Sequence, residues 1–281
     1  RNNMERTGAP PADAPIQQQA ETKFNPLSFV APTELVDLPS KGKGYPTNHP
    51  LHNKETVEIR FMTAKEEDIL ASQSLIKKGI VIERFMESIL IDKTIKPGEM
   101  LIGDRNAVII AARVSGYGAE YETTITCPAC QAKSKFAFDL NDKKVHETEV
   151  SEDLNLTHVE DGLFSTKMPF SNFNVKFKLL KGKDELYLTK LMNNKRKGRL
   201  QESIFTDQMK QLIVEIEGHS DKAIINQYVD NMPTLDSRHL RTCYSLANPD
   251  VKVTNIFTCP SCGFEEGMEV PFGADFFWTD S

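Results

Sequence analysis

The sequence predicts an α+β protein built on a zinc-ribbon-like pair of β-hairpins, with an N-terminal helical layer and a helical insertion between the hairpins. Four of the five cysteines lie in two identical Cys-Pro-x-Cys units, Cys127/Cys130 and Cys259/Cys262. Apolar residues alternate along the chain on both sides of each unit, as they do in half-buried strands. Helical periodicity dominates before the first unit and in most of the segment between the two.

Composition limits the classes of function. The chain has 281 residues and a formal net charge of −6, and an acidic balance disfavours nucleic acid, whose binding depends on neutralising phosphates. The longest apolar run, residues 107–112, is far short of the roughly 20 residues that span a bilayer. The first residues lack the charged start and apolar stretch of a signal peptide. We therefore expect a protein that binds neither membrane nor nucleic acid.

The chain divides into four parts. Residues 1–31 are rich in proline and small polar residues at their start, which predicts a disordered or partner-wrapping tail. Residues 32–140 hold the helical layer and the first zinc knuckle. Residues 141–249 form a strand and helical insertion, and residues 250–281 carry the second knuckle and a C-terminal tail.

The N-terminal layer begins with a loop. Residues 38–46 contain two Lys-Gly pairs, yet they lack the spacing of a phosphate-binding loop and no strand-to-helix junction surrounds them. We interpret this loop as a connecting turn whose role stays open. A short strand over 57–61 follows, and Thr63 then opens a helix as N-cap, with Glu66 at the capping-box position.

Two further helices are predicted before the first knuckle. One starts near Ile80 and carries an apolar stripe every three or four residues, made of Ile82, Phe85, Met86 and Ile89. The other is predicted to start at Asp104 as N-cap and to stop at Gly116, a favourable residue just past a helix C-terminus. Its stripe consists of Ala107, Ile110, Ala111 and Val114.

The two knuckles form an internal pseudo-repeat. Each reads strand, knuckle, strand, over residues 119–140 and 250–273. Between the cysteine units lie residues 131–258, 128 in number, so the ribbon carries a long insertion. We expect its start, 145–165, to be acidic and irregular, followed by a strand over 173–179.

The rest of the insertion reads as helical from Asp184 to about Ala247. One helix is predicted by apolar or long side chains every four residues, Leu200, Ile204, Gln208, Leu212 and Ile216, and Gly218 marks its stop. Ser220 and Thr234 are candidate N-caps of two more helices.

Paired thiolates separated by two residues can reach one ion through a tight turn, and four of them suit tetrahedral zinc. We therefore predict one structural zinc per chain, held by Cys127, Cys130, Cys259 and Cys262. A redox dithiol would need a helix after the motif, whereas strand patterns follow here. A catalytic zinc would need an open position, which four thiolates do not leave.

The remaining candidates are weaker. Cys243 lies on an apolar helical stripe and is interpreted as a buried small hydrophobic residue. The histidines form no ligand pattern. A basic run, Lys190, Lys195–Lys197 and Arg199, is interpreted as a solvated helix end that could also meet an acidic partner surface. No catalytic arrangement stands out, so we expect neither an enzyme nor a small-molecule substrate.

Several ordered segments carry a resemblance to a known family. They are the loop 38–46, Met62–Leu70, Lys77–Gly79, Gly103–Ala107, Arg113–Tyr121 and the first Cys-Pro-x-Cys unit. Together they resemble the baseplate hub family of contractile-tailed, T-even-like bacteriophages, closely over residues 35–140 and in outline beyond.

The resemblance implies a virion structural protein of the tail baseplate, surrounded by other baseplate and tail subunits and present in the host cytoplasm during assembly. Two alternatives stay open from the sequence. One is a baseplate assembly chaperone that is absent from the virion. The other is a zinc-ribbon factor that binds nucleic acid, which the acidic residues Glu265, Glu266 and Glu269 beside the second knuckle disfavour.

Overall fold

The computed structural model describes residues 30–160, 162–198, 203–270 and 274–277. The predicted tail therefore lies, except for residues 30 and 31, outside the described part of the chain. The strands are β1 Thr33–Asp37, β2 Thr56–Arg60, β3 Glu120–Thr126, β4 Lys133–Asp139, β5 Lys144–His146, β6 Thr157–Glu160, β7 Leu163–Lys167, β8 Asn174–Lys178, β9 Ile213–Ile216, β10 Asp250–Lys252, β11 Thr254–Thr258 and β12 Glu265–Glu269. The helices are α1 Ala64–Ala71, α2 Gln73–Lys78, α3 Val81–Ile89, α4 Ile102–Tyr117, α5 Gly182–Lys197, α6 Ile204–Leu212, α7 Lys222–Asp230 and α8 Thr234–Ala247.

This is the predicted α+β class. The described strands form small antiparallel sheets: the pairs β1–β2, β3–β4, β5–β10 and β11–β12, and one four-stranded sheet in the order β6-β7-β8-β9. From residue 31 onward the described residues form one compact unit, and its main apolar core runs from Val36 to Phe277. None of the described helices is long and apolar enough to cross a membrane.

The N-terminal helical layer is largely as predicted. The Glu66 carboxylate accepts hydrogen bonds from the backbone N–H of Thr63 at 2.9 Å and from its hydroxyl at 2.6 Å, so Thr63 does open α1. In α3, Phe85, Met86 and Ile89 are buried, as their spacing predicted. The short helix α2, which has no buried residue, was not predicted because it lacks an apolar stripe.

The predicted limits of α4 are wrong at both ends. Its N-cap is Leu101, so Asp104 lies inside the first turn and is fully buried. The helix continues through Gly116 to Tyr117, and Gly118 ends it with a φ of 85°. Asp104 looked like a cap because its carboxylate does accept backbone and hydroxyl hydrogen bonds, but they come from the distant loop 38–46.

That loop is clamped onto α4 by a buried polar network. The carboxylate of Asp104 accepts from the N–H of Ser40 at 3.0 Å, from its hydroxyl at 2.6 Å, and from the hydroxyl of Tyr45 at 2.7 Å. The Tyr45 oxygen in turn accepts from the N–H of Leu101 at 2.9 Å. Gly42 has a φ of 73°, and a Cβ there would come within 2.4 Å of the backbone nitrogen of Lys54. The conformation of the loop therefore follows from a glycine turn and a buried carboxylate.

The insertion departs from its predicted pattern in two places. The segment 145–165, expected to be irregular, contributes β5, β6 and the start of β7. The predicted helix up to Ile216 ends at Leu212, because Ile213–Ile216 forms β9 and pairs with β8; three of these four residues are β-branched, which favours strand. Leu200 of that predicted helix lies outside the described residues.

Two predicted N-caps are displaced by one residue. The carboxylate of Asp221, rather than Ser220, caps α7 by accepting from the N–H groups of Ala223 and Ile224. Pro233 holds the N-cap position of α8, and Thr234 is its first helical residue. Nothing in the structure tests the proposed limits of the four parts of the chain, which stay predictions.

Candidate metal centre

Two hairpins present the cysteine units. β3 pairs with β4 in regular register from Glu120↔Asp139 to Thr126↔Lys133. β11 pairs with β12 from Thr254↔Glu269 to Thr258↔Glu265. In both, the Cys-Pro-x-Cys unit forms the turn that connects the strands, as the pseudo-repeat predicted.

The backbones of the two turns match closely. In the first, the N–H of Cys127 donates to the carbonyl of Ala132 and the N–H of Gln131 donates to the carbonyl of Cys127, both at 2.9 Å. The chain then turns through Gln131, whose φ is 62°.

In the second turn, the N–H of Cys259 donates to the carbonyl of Phe264 at 2.8 Å, and the N–H of Gly263 donates to the carbonyl of Cys259 at 2.9 Å. Gly263 has a φ of 72°. The same loop is therefore built twice, once with glycine at the left-handed position and once without.

The hairpins pack through an apolar layer. The rings of Phe136 and Phe257 meet edge to face with their centroids 5.7 Å apart, and Ile125 and Met268 pack beside them. Ile125, Phe136 and Met268 also pack against the main core, so the layer continues into it. The layer also encloses the first cysteine of each unit, since Cys127 and Cys259 are buried. The second cysteine of each unit, Cys130 and Cys262, is exposed.

All four predicted sulfur atoms come together. Cys127 Sγ lies 3.8 Å from Cys262 Sγ, and Cys130 Sγ lies 3.7 Å from Cys259 Sγ. The four atoms all lie within 4.8 Å of one another. A disulfide requires about 2.05 Å, so these are separate thiols. Zn–S bonds of about 2.3 Å in a tetrahedron place the sulfurs about 3.8 Å apart, which agrees with both closest distances. The donor set and its spacing therefore fit one tetrahedral metal ion.

The electrostatics of the four sulfurs also favour a cation. Burial raises the pKa of the Cys259 thiol, but the N–H groups of Ser261 and Cys262 outweigh it and bring that pKa to about 7. For Cys262, the N–H of Phe264 lowers the pKa, but the sulfur of Cys130, burial and the remaining sulfurs raise it to about 12. Since neighbouring thiolates repel, a positive charge among the sulfurs would favour the ionised form of Cys262.

The other candidates assemble no comparable site. In the described ranges, these four cysteines are the one group of three or more cysteine, histidine or acidic residues close enough to share an ion. Cys243 is fully buried, as predicted, and burial raises the pKa of its thiol. Its sulfur lies 3.4 Å from His239 Nε2 and 3.6 Å from Thr166 Oγ1, in a polar contact that connects α8 to β7. In the basic run, Lys195 forms an ion pair with Asp207, and Arg199 lies outside the described residues.

Sequence reasoning missed two features near the site. Gln131 adopts the left-handed conformation, and aligning the two knuckles would have revealed it because Gln131 stands where Gly263 stands. The pairing of β5 with β10, from Lys144↔Lys252 to His146↔Asp250, joins the start of the insertion directly to its end. These strands are three residues long, and no sequence signal marks so short a pair.

The fold and the site define a class: mixed α+β proteins in which a four-cysteine ribbon of paired hairpins is interrupted by a large insertion and packed against a helical layer. Within it, this chain belongs to the family of T4 bacteriophage base plate proteins, whose family model matches residues 31–278. No curated protein and no solved structure matches the chain. The family confirms the resemblance seen in the sequence, and it identifies a structural component of a phage tail whose partners are other tail and baseplate proteins.

Proposed function

We propose that this protein is a subunit of the hub, or inner part, of the baseplate of a contractile phage tail, where it holds neighbouring subunits together and a structural zinc ion stabilises its own fold. The family match over residues 31–278 carries the assignment to the baseplate. In this proposal the chain acts by binding rather than by catalysis. It enters the virion at the tail baseplate after assembly in the host cytoplasm.

The convergence of four sulfurs within 4.8 Å supports the zinc. Cys127, Cys130, Cys259 and Cys262 would hold the ion, and the ion would supply the positive charge that keeps all four as thiolates. Because four protein ligands complete a tetrahedron, no position is left for water or substrate. The free energy of metal binding then contributes to folding.

The charge of the ribbon disfavours binding to nucleic acid. Lys133 and Lys135 are the exposed basic residues of the first hairpin, and Lys135 lies 3.6 Å from Glu122. The second hairpin exposes Glu265, Glu266 and Glu269. A surface that follows a phosphate backbone needs a continuous positive stripe, which this ribbon does not offer. Protein partners are the better match.

Two measurements test the proposal. Elemental analysis of the purified chain should find about one zinc per chain, as expected for one closed tetrahedral site; a chain that folds with no bound metal would contradict the zinc. Crosslinking mass spectrometry on purified intact tails should find this chain joined to inner baseplate subunits. Its absence from mature particles, with presence in infected cells, would instead identify an assembly chaperone. Crosslinks to peripheral baseplate subunits alone would contradict the hub location.

A further inference from the structure

Strand β1 is an edge strand, and its ladder with β2 is regular. At one end the N–H of Leu38 donates to the carbonyl of Glu55 at 2.8 Å, and at the other the N–H of Phe61 donates to the carbonyl of Pro32 at 2.9 Å. Hydrogen-bonded and non-hydrogen-bonded pairs alternate in an antiparallel ladder. The even-numbered residues of β1 therefore bond to β2, and the odd-numbered ones direct their backbone groups to the opposite side.

The outward-directed residues are Thr33, Leu35 and Asp37. The same alternation holds on β2, where Glu58 lies opposite Leu35 and its carbonyl accepts from the N–H of Ile91 at 3.2 Å on the far edge. Thus the far side of β2 is partly covered. Over the described part of the chain, the outward N–H and C=O groups of these three β1 residues have no hydrogen-bond partner.

Several of the usual protections of an edge strand are missing from β1. Natural edges are blocked by lysine, proline, bulges, a covering element, short length or an inward-pointing charge; β1 has the last two, since it is five residues long and Glu34 has a buried carboxylate oxygen. Thr33–Asp37 contains no lysine or proline, and its register has no shift. Its central side chain, Leu35, is 69% exposed. Among the described residues, none obstructs the approach of an extended segment to this edge.

The charge around this edge has one sign. Asp37, Glu55 and Glu58 are exposed, and within the described residues none of them forms an ion pair. The nearby cations of the described chain are already engaged. Arg60 lies 2.8 Å from Glu66, Lys54 lies 3.8 Å from Asp92 and Lys41 lies 2.6 Å from Glu147. A ligand for this edge should therefore carry positive charge.

We propose that β1 is a docking strand: an extended segment of another tail protein, whose side chains on the exposed face of the sheet are alternately basic and apolar, adds to its free edge as a further strand. Backbone hydrogen bonds to Thr33, Leu35 and Asp37 supply the attachment, and the apolar and basic side chains supply the selectivity. Leu35, Asp37 and Glu58 lie on the same face of the sheet, so every second side chain of the added strand meets them. An apolar one covers Leu35, and the basic ones beside it approach Asp37 and Glu58. The inference rests on the proposed function only for the identity of the partner as a tail protein.

The test uses the full, metal-loaded chain and a synthetic peptide, Ser-Lys-Ser-Val-Ser-Lys-Ser with blocked ends, whose lysines and valine lie on one face of the extended chain. Amide exchange followed by NMR should show that the peptide slows exchange at Thr33, Leu35 and Asp37 and leaves Glu34 and Val36, which already bond to β2, unchanged. A peptide N-methylated at every residue, which has no backbone donor on either edge, should not bind. Equal protection of odd and even residues, or equal binding of the N-methylated peptide, would overturn the proposal.

Two sets of variants provide the controls. Leu35→Pro removes an outward N–H without removing a hydrogen bond to β2. The double charge reversal Asp37→Lys with Glu58→Lys instead changes the charge of the side chains beside the edge. Each should weaken the binding of the peptide about tenfold or more, equivalent to roughly 1.4 kcal/mol. The matched reversal Glu265→Lys with Glu269→Lys, on the ribbon, should leave binding unchanged. If it weakens binding equally, the attraction is nonspecific and the proposal fails.

Sedimentation of the chain alone distinguishes another occupant. If the wild-type chain dimerises and Leu35→Pro makes it monomeric, β1 pairs with a second copy, and the proposed heterologous partner is wrong. Neither experiment depends on the presence of the chain in virions. The experiments can therefore refute the docking strand without refuting the baseplate function, and the tests of the baseplate function can fail without refuting the docking strand.

Discussion

Gln131 and Gly263 hold equivalent positions in the two knuckles, each directly after the second cysteine, with φ values of 62° and 72°. In both, the N–H donates to the carbonyl of the first cysteine at 2.9 Å. Glycine adopts this left-handed conformation without steric cost, whereas a residue with a Cβ is strained there. The two knuckles thus share one backbone conformation, but only the first has steric strain at its left-handed residue.

This asymmetry predicts opposite effects from two small substitutions. Gln131→Gly should raise the free energy of unfolding by up to about 1 kcal/mol, because it relieves the strain of the left-handed conformation, while Gly263→Ala should lower it by about 1 kcal/mol. Chemical denaturation of the metal-loaded chain measures both.

Gly267 supplies the control for that pair. It lies on β12 without a left-handed φ, and a Cβ there would meet only the Thr254 methyl group at 3.7 Å. Gly267→Ala should therefore be neutral or slightly stabilising. If Gly263→Ala is equally neutral, the left-handed turn does not limit the stability of the ribbon.

The convergence of the four cysteines was predictable because its determinants are local. Each Cys-Pro-x-Cys unit carries its own turn and alternating strands, and repetition of the unit indicates that the two halves meet. The errors occurred where a distant partner decides the outcome. Asp104 has the side chain of an N-cap, but it accepts hydrogen bonds from the hydroxyls of Ser40 and Tyr45. Ile216 fits a helical period, but it lies in a strand that pairs with β8. Such choices depend on tertiary contacts that no local pattern contains.

Glu66 predicts an acid-sensitive contribution to stability. Its side chain is fully buried; burial alone would raise the pKa of this carboxyl, but hydrogen bonds from Arg60, Ser88 and Thr63 lower it to about 2 from 4.5. Since the folded-state pKa lies below the unfolded one, this stabilisation is complete above about pH 4.5 and is lost as the pH falls towards 2. The shift corresponds to roughly 3 kcal/mol.

Accordingly, Glu66→Gln should be less stable than wild type at neutral pH, and the difference in unfolding free energy should shrink as the pH falls from 4.5 to 2. Loss of metal in acid affects both proteins and cancels in the difference. Glu87→Gln is the control, because Glu87 pairs with Arg84 in an exposed position and such pairs contribute less than about 1 kcal/mol. A difference that stays constant with pH would show that Glu66 titrates normally.

Tyr45→Phe tests the clamp between the loop 38–46 and α4. The substitution removes a buried hydroxyl that donates to Asp104 and accepts from Leu101, and it leaves both partners short of a hydrogen bond. We expect a loss of about 1–3 kcal/mol in unfolding free energy, measured by urea denaturation. Tyr187→Phe, at an exposed position of α5, should change it by less than about 0.5 kcal/mol. Equal effects of the two substitutions would show that the buried network does not contribute to the free energy of unfolding.

Metal removal tests how far the stabilisation by the ribbon extends. One zinc bound by both knuckles would close the whole insertion, because 128 residues, 131–258, separate the two cysteine units. In the structure, β5 already pairs with β10 between the ribbon and the insertion, and the amide of Asn106 on α4 donates to Asp250 at 3.0 Å. The buried cluster of Cys127, Cys259 and Phe257 is distinct from the main core, whereas Tyr121 and Phe138 at the base of the first hairpin belong to that core.

The metal should therefore matter most near the knuckles. We expect a chelator to expose to hydrogen exchange the amides of β11, β12 and the ends of β3 and β4 nearest the cysteines, and to leave those of α5 and α8 protected. Cys130→Ser should reproduce this pattern and lose the metal, since its exposed thiol contributes a ligand but little packing, whereas Cys243→Ser should retain the metal. If α5 and α8 lose protection together with the strands, the free energy of metal binding supports the whole discontinuous domain, and the β5–β10 pair is too weak to hold the insertion closed.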